Sequence, residues 1–261
     1  MSLIYEPKGK AREYSPLALN IYSGGCDHGC NYCYCQKFER GWNLEPRRRD
    51  LSGLTKEAVR AKRQVLLSFV SDPYNKFDEQ HQDTRGCLEI LKAARCSTAI
   101  LTKGGTRCLR DMDVFQGWPD NRVKVGATLT FTENASIDHY EVGSAYFANR
   151  LEALRILHES GIKTWVSIEP VIDPAQSLEA IHQSLPYVDA YKVGKLNHAE
   201  SQTDWQAFCM SAVEMIRSAG KTLYVKNDLR PFAPAGFLTD AEGNCETVFL
   251  PDKPNKQQGL F

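Results

Sequence analysis

Leu17-Ala18-Leu19-Asn20-Ile21-Tyr22-Ser23-Gly24-Gly25-Cys26-Asp27-His28-Gly29-Cys30-Asn31-Tyr32-Cys33-Tyr34-Cys35 decides how this chain is read. A short apolar run leads into a glycine-rich loop that carries four thiols. Cys26, Cys30 and Cys33 have the spacing C-x3-C-x2-C. Thiolates this close can converge on one metal centre, and iron–sulfur clusters are held by such thiolates. Most clusters take four cysteines, and the ferredoxin run has C-x2-C-x2-C spacing before a proline. Here the first gap is one residue longer and no proline follows. Three ligands on a four-iron cluster leave one iron open, and an open position separates a catalytic metal site from a closed structural one. A structural zinc site is the competing assignment. It calls for a second ligand pair downstream, whereas Cys87, Cys96, Cys108, Cys209 and Cys245 are far apart.

A chain of 261 residues is long enough for one large domain of the α/β-barrel kind. Lys+Arg and Asp+Glu balance at 32 each, so a nucleic-acid site would have to be a local patch rather than a property of the whole surface. The opening MSLIYEPKGK has no apolar h-region, which implies no secretory signal. No run approaches the length of a membrane helix. Nine cysteines, an odd number, then read as reduced thiols and metal ligands, and imply the cytoplasm.

Downstream of the loop the pattern alternates. Strands are expected at 17–22, 64–70, 97–102, 122–130, 163–168, 187–193 and 221–226. Helices are expected at 55–62 behind a Thr55 cap, 84–94, 106–116, 145–160 stopped by Gly161, 178–185, and 204–219 stopped by Gly220. Residues 131–144 read as a polar loop. Such alternation means βαβ units and a parallel sheet. No G-x-G-x-x-G follows the first strand, which argues against a dinucleotide-binding domain. In barrels the active site lies at the C-terminal strand ends. The cysteine loop, Ser71-Asp72, Lys103-Gly104, Thr128 and Thr130, Glu169, and Lys192 and Lys195 fall there. The run Arg47-Arg48-Arg49 reads either as a solvated loop with local ion pairs or as a phosphate contact.

The cysteine spacing, with an aromatic residue before the last cysteine, resembles the signature of the radical S-adenosylmethionine superfamily. Asn20–Tyr34, Ser68-Phe69-Val70-Ser71-Asp72-Pro73-Tyr74, Thr84-Arg85, Leu101-Thr102-Lys103-Gly104, Gly161–Val166 and Glu169-Pro170-Val171-Ile172 are similar to its spore photoproduct lyase-like branch. The resemblance spans residues 17–195. It implies an α/β fold, a partial parallel (β/α)6 TIM-like barrel with a C-terminal extension. Residues 1–226 would form the barrel, with 1–16 as an N-terminal arm, and 227–261 a cap in the same domain. It implies a 4Fe–4S cluster on Cys26, Cys30 and Cys33, with S-adenosylmethionine on the open iron. One-electron cleavage would yield a 5′-deoxyadenosyl radical that takes hydrogen from a substrate, a nucleobase in DNA, RNA or a nucleotide. A peptide substrate and a non-catalytic cluster sensor are the alternatives. The implied partners are a flavodoxin-type reductase and the substrate, with no membrane, on a monomeric chain.

Carried over residue by residue, Ser71, Asp72, Thr128 and Glu169 line the cofactor. Lys103 pairs with its carboxylate, as a methionyl carboxylate requires. Tyr32 packs on the adenine, and Tyr34 relays a hydrogen atom. Glu169 could equally be a carboxylate in a satisfied network. One departure matters: the lyase's hydrogen-donating cysteine corresponds to Phe69, which has no abstractable S–H. Cys35 is the candidate substitute and Cys108 a weaker one, against the plain alternative of small buried hydrophobes. His28 reads as a residue that hydrogen-bonds within the loop, because a fourth protein ligand would block the cofactor.

Overall fold

The computed structural model describes residues 2–38, 41–196 and 201–253. Met1 and residues 254–261, the outer ends of the expected arm and cap, lie outside the described residues. The chain opens with β1 (Ile4–Tyr5), antiparallel to β2 (Leu17–Leu19). A small ribbon joins β3 (Tyr22–Ser23) to β4 (Arg47–Arg48). Then β5 (Val65–Leu67), β6 (Thr98–Thr102), β7 (Val123–Thr128), β8 (Lys163–Ile168), β9 (Ala190–Val193) and β10 (Thr222–Val225) add one after another beside β2. All pair in parallel from β2 to β10. Crossovers between parallel strands need room for a helix. They use α2 (Leu54–Arg60), α3 (Lys76–His81) with α4 (Asp83–Ala93), α5 (Met112–Gln116), α6 (Asn134–Tyr140) with α7 (Phe147–Glu159), α8 (Pro174–Ser184) and α9 (Trp205–Ser218). A single turn, α1 (Cys35–Phe38), precedes them. Among the described residues no helix is long and apolar enough to cross a membrane.

Strands covered on both faces should read as near-continuous apolar or small runs, and β5 and β7 are buried at every position. Outside the sheet, helices pack as amphipathic elements. Helix α9 buries Phe208, Cys209, Ala212, Val213 and Ile216, one stripe of a 3.6-residue period. Inside, the sheet curls into an open, partial barrel. Trp165 fills it against Leu66 and Ala99, and its indole N–H donates to the Ile100 carbonyl at 2.9 Å. Gly126 makes room for that ring, since a Cβ there would meet Trp165 Nε1 at 2.5 Å.

The seven expected strands are present, one more than a six-unit barrel has. The expected stops hold as well. Gly161 (φ +77°) and Gly220 (φ +69°) end α7 and α9 in left-handed geometry. The paired bonds Ile162 N–H to Leu157 and Gly161 N–H to His158 are those of a Schellman cap. Four expectations are corrected. The first strand ends at Leu19, because Tyr22 and Ser23 turn away to pair with Arg48 and Arg47. Thr55 lies inside α2 and does not cap it. Gly53 occupies the cap position, and Glu57 accepts the N–H groups of Leu3 and Ile4. Residues 106–116 form a 3-10 helix (Gly105–Asp111) before α5. The polar loop 131–144 contains α6.

Because Trp165 is buried at the barrel's waist against Leu66 and Ala99, Trp165→Ala should lower stability by about 3–5 kcal/mol. Urea unfolding followed by far-UV circular dichroism measures it. A loss below about 1 kcal/mol would mean that the interior does not depend on this ring.

Candidate active site

The cysteine loop leaves the C-terminal end of β2 and is fixed on all sides by its backbone. Cys26 N–H donates to Asn43 O (3.2 Å), Asn31 N–H to Tyr140 O (3.0 Å), and Gly143 N–H to His28 O (2.9 Å). Gly24 and Gly29 take positive φ, +76° and +57°. Gly25 has no room for a Cβ, which would meet Asn43 O at 2.6 Å. The Asp27 carboxylate accepts the Phe77 N–H at the start of α3. His28 is buried, and its ring reaches Asp72 (3.5 Å) and Arg107 (3.2 Å), both outside the loop, rather than bonding within the loop as expected.

Asp72 ties this loop to the sheet. One carboxylate oxygen accepts from Thr102 Oγ1 (2.6 Å) and Tyr74 N–H (2.8 Å); the other accepts Lys103 N–H (2.7 Å). Its own N–H points at Cys26 Sγ, 3.4 Å away. The strand ends of β5 and β6 and the first thiol are thereby held in one frame. Ser71 is buried at φ +60° and accepts from Asn75 Nδ2 at 3.0 Å.

A second group of side chains closes the loop from the β7 side. The Tyr32 hydroxyl donates to Glu141, and Lys103 Nζ lies 5.3 Å over the Tyr32 ring and 3.8 Å from Glu141 Oε1. Arg150 pairs with the other Glu141 oxygen and donates to the carbonyls of Ala145 (2.7 Å) and Thr128 (2.9 Å). Glu141 and Arg150 are both fully buried. Burial alone would raise the Glu141 pKa, but Arg150, Lys103 and the Tyr32 hydroxyl outweigh it and push the carboxyl down to about 2. Burial likewise opposes the Lys103 charge, yet the Cys30 sulfur and Glu141 raise its pKa.

The third group lies deeper. Tyr14, from the N-terminal arm, donates to Glu169 (2.5 Å) and lies 2.9 Å from Ser167 Oγ. Lys226 pairs with the same Glu169 oxygen. Glu169 therefore sits in a hydrogen-bonded network with Tyr14 and Lys226. Lys192 departs from the expected mouth position. It is buried in the barrel, donating to the carbonyls of Glu13 and Tyr14 at 2.8 Å each. Tyr34 donates to the Phe69 carbonyl at 3.0 Å, and the Cys35 thiol lies 3.7 Å from that same oxygen. Cys108 is buried beneath the 3-10 turn. The arginine run is local structure: Arg48 forms a two-bond pair with Asp83 (2.7 Å each) and Arg49 donates to Asn20 O (2.6 Å).

Sequence reasoning missed Glu141, Arg150, Tyr14 and Lys226. Arg150 had left a signal, since it sits three residues after Phe147 and next to Leu151 on the apolar stripe of α7. The others fall in stretches whose local pattern carries no such mark.

The donor set fits a multi-iron cluster. Cys26, Cys30 and Cys33 form no disulfide and lie on one loop at the strand ends. Cluster cysteines each reach a different iron. Burial pushes the Cys26 and Cys30 thiols up to about 12 and about 11, while the hydrogen bond from Cys35 brings Cys33 down to about 6. Thiolate ligation therefore needs the compensating charge of iron.

Glu141→Gln should cost about 3–5 kcal/mol at neutral pH, because Arg150 loses its buried partner. The folded pKa, about 2, lies below the unfolded value of about 4.3. The stabilisation is thus complete above the unfolded value and lost as pH falls through about 2. Denaturant titrations of both proteins from pH 7 to pH 2 should show the gap closing with acid. A pH-independent gap would reject this account.

A sequence model of the Radical SAM superfamily matches residues 20–186. An uncharacterised protein of Methanocaldococcus jannaschii is 30% identical over 188 residues, 69% of this chain and 70% of that one. Among solved structures, a spore photoproduct lyase mutant superposes with a TM-score of 0.66 at 14% identity, covering 83% of this chain and 78% of that one. Streptococcus suis SuiB bound to S-adenosylmethionine superposes with a TM-score of 0.61 at 14% identity, over 80% of this chain. This chain spans about half of SuiB, 49% of its length. At these identities the two structures speak for the fold. The superfamily match covers well over half of the residues, and on it the chain belongs to the Radical SAM superfamily, whose enzymes use a 4Fe–4S cluster and S-adenosylmethionine.

Proposed function

We propose that Cys26, Cys30 and Cys33 hold a 4Fe–4S cluster, and that S-adenosylmethionine binds over it in the barrel mouth and is cleaved there by one electron. The observation that carries this reading is the braced C-x3-C-x2-C loop at the C-terminal strand ends, with the Lys103 ammonium over Tyr32 beside it. When bound, the cluster and its partner supply reductive cleavage of the sulfonium and a 5′-deoxyadenosyl radical. The chain's own residues bind, orient and exclude water. Lys103 is the charge partner for the methionyl carboxylate, held in place by Glu141 through Tyr32. Thr128 and Ser71 face the cofactor. Tyr14, Glu169 and Lys226 form the inner wall on which a substrate would rest. Tyr34 and Cys35, converging on the Phe69 carbonyl, are the candidates for moving a hydrogen atom. The electron donor is a flavodoxin-type protein. All nine cysteines are free, which fits a reducing compartment such as the cytoplasm.

The substrate we favour is a nucleobase, free or in nucleic acid, with support from the likeness to spore photoproduct lyase, which is solved with a dinucleoside photoproduct. Phe69 sets the reaction apart from that lyase's. SuiB, solved with a precursor peptide, keeps a peptide substrate as the alternative.

Anaerobic reconstitution with iron and sulfide, then dithionite and S-adenosylmethionine, should yield 5′-deoxyadenosine, and Cys30→Ala should abolish it. A cluster whose EPR spectrum ignores S-adenosylmethionine would instead indicate a sensor. Lys103→Ala should weaken S-adenosylmethionine binding about ten- to hundredfold, the worth of a charged hydrogen bond, in equilibrium dialysis of the reconstituted protein. A mass shift in nucleosides from co-expressing cells checks the substrate; a shift confined to peptides would transfer the proposal to the SuiB-like reading.

A further inference from the structure

At the N-terminal end of the barrel, away from the cysteine loop, β7 to β10 and residues 247–251 enclose a cleft of about 430 Å³. That is within the size range of small-molecule sites. Lys124 of β7 and Lys163 of β8 both line it. They are register partners on neighbouring parallel strands. Paired residues on adjacent strands project to the same face; Lys124 Nζ lies buried, 5.1 Å over the Trp165 ring, and Lys163 is exposed at the rim of the cleft. A buried lysine and an exposed one thus share one end of the barrel.

Neither has a counter-charge. Lysine ion pairs among the described residues belong to Lys10, Lys103 and Lys226. Lys124 is 4% exposed and spends one of its three donors on the Val248 carbonyl. Asp189 is the cleft's carboxylate, but it accepts Thr164 N–H at 2.7 Å and lies 3.7 Å from His158 Nδ1. Burying an ammonium without compensation is costly. Burial, with the Lys163 charge adding to it, accordingly brings Lys124 down to about 7. The hydroxyl-bearing Thr222 and Thr247 line the same space. Two lysines on one cavity, the Thr222 hydroxyl beside them and, among the described residues, no acid paired with either lysine define the complement of the ligand: small, doubly negative and rich in acceptors.

We propose that this cleft binds a small oxyanion of the phosphate class, inorganic phosphate or a phosphomonoester, between Lys124 and Lys163. The anion neutralises both lysines, and it does so at the end of the barrel opposite the cysteine loop.

Isothermal titration of the reconstituted protein with inorganic phosphate, and separately with glycerol 3-phosphate, tests this. Saturable one-to-one binding is expected, abolished in Lys124→Met and weakened about tenfold or more in Lys163→Gln. Lys163 is exposed, so its variant keeps the test valid should Lys124→Met not fold. The tighter of the two anions identifies the source, free ion or ester. No saturable heat with either anion, or binding unchanged in Lys163→Gln, overturns the proposal. Both results are independent of 5′-deoxyadenosine formation, so they leave the reading of the cysteine loop untouched.

Discussion

The Asp72 carboxylate is the bond on which the mouth of this barrel depends. It receives donors from the end of β6, from the turn after β5 and from the backbone at Lys103, while its own amide meets the first thiol of the loop. A carboxylate has acceptor capacity for several donors at once, and here that capacity converts three separate chain segments into a single edge. Removing it would leave the Thr102 hydroxyl and the Lys103 amide to find new partners at the position where the loop and two strands meet. The thiols' relative positions are therefore a property of the sheet, and the loop alone does not set them.

Around that frame the polar groups are arranged by depth. Glu141 and Arg150 are out of water and fully paired, so they act as a fixed support. A buried ion pair adds little net stability against an apolar pair of the same size. What it does here is aim the Tyr32 ring and the Lys103 ammonium toward the cysteine loop. Glu169, Tyr14 and Lys226 repeat the pattern on the far wall. Between them Trp165 packs against Leu66 and Ala99, with the Lys124 and Lys192 ammonium groups over its ring.

Much of this was legible beforehand, and the limits were physical. Strand and helix alternation writes itself into periodicity, and helix stops into glycines, so β5 to β10 and the ends of α7 and α9 could be read directly. The cysteines proposed as ligands are close in sequence, so their spacing carries the reading of the site. The residues that hold Lys103 and Glu169 are distant in sequence: Tyr32 meets Glu141 across 109 positions and Tyr14 meets Glu169 across 155. Nothing local marks such partners. The first strand reads too long because Asn20-Ile21-Tyr22 is apolar enough to continue it, yet the Asn20 side-chain Oδ1 accepts the amides of Phe69 and Val70. Glu169 was left with two roles because a strand-end carboxylate looks the same from sequence whether it is paired or not.

The arm's reach has a consequence for how the protein is made. Glu13 accepts from Tyr224 and from the Asn227 amide, 211 and 214 positions further on. On a ribosome, the cysteine loop emerges early, whereas the wall that secures Glu13 and Tyr14 emerges only after the last strand. Contacts of such separation form late. A nascent chain therefore displays the thiols proposed to hold the cluster while the barrel beneath them is still open.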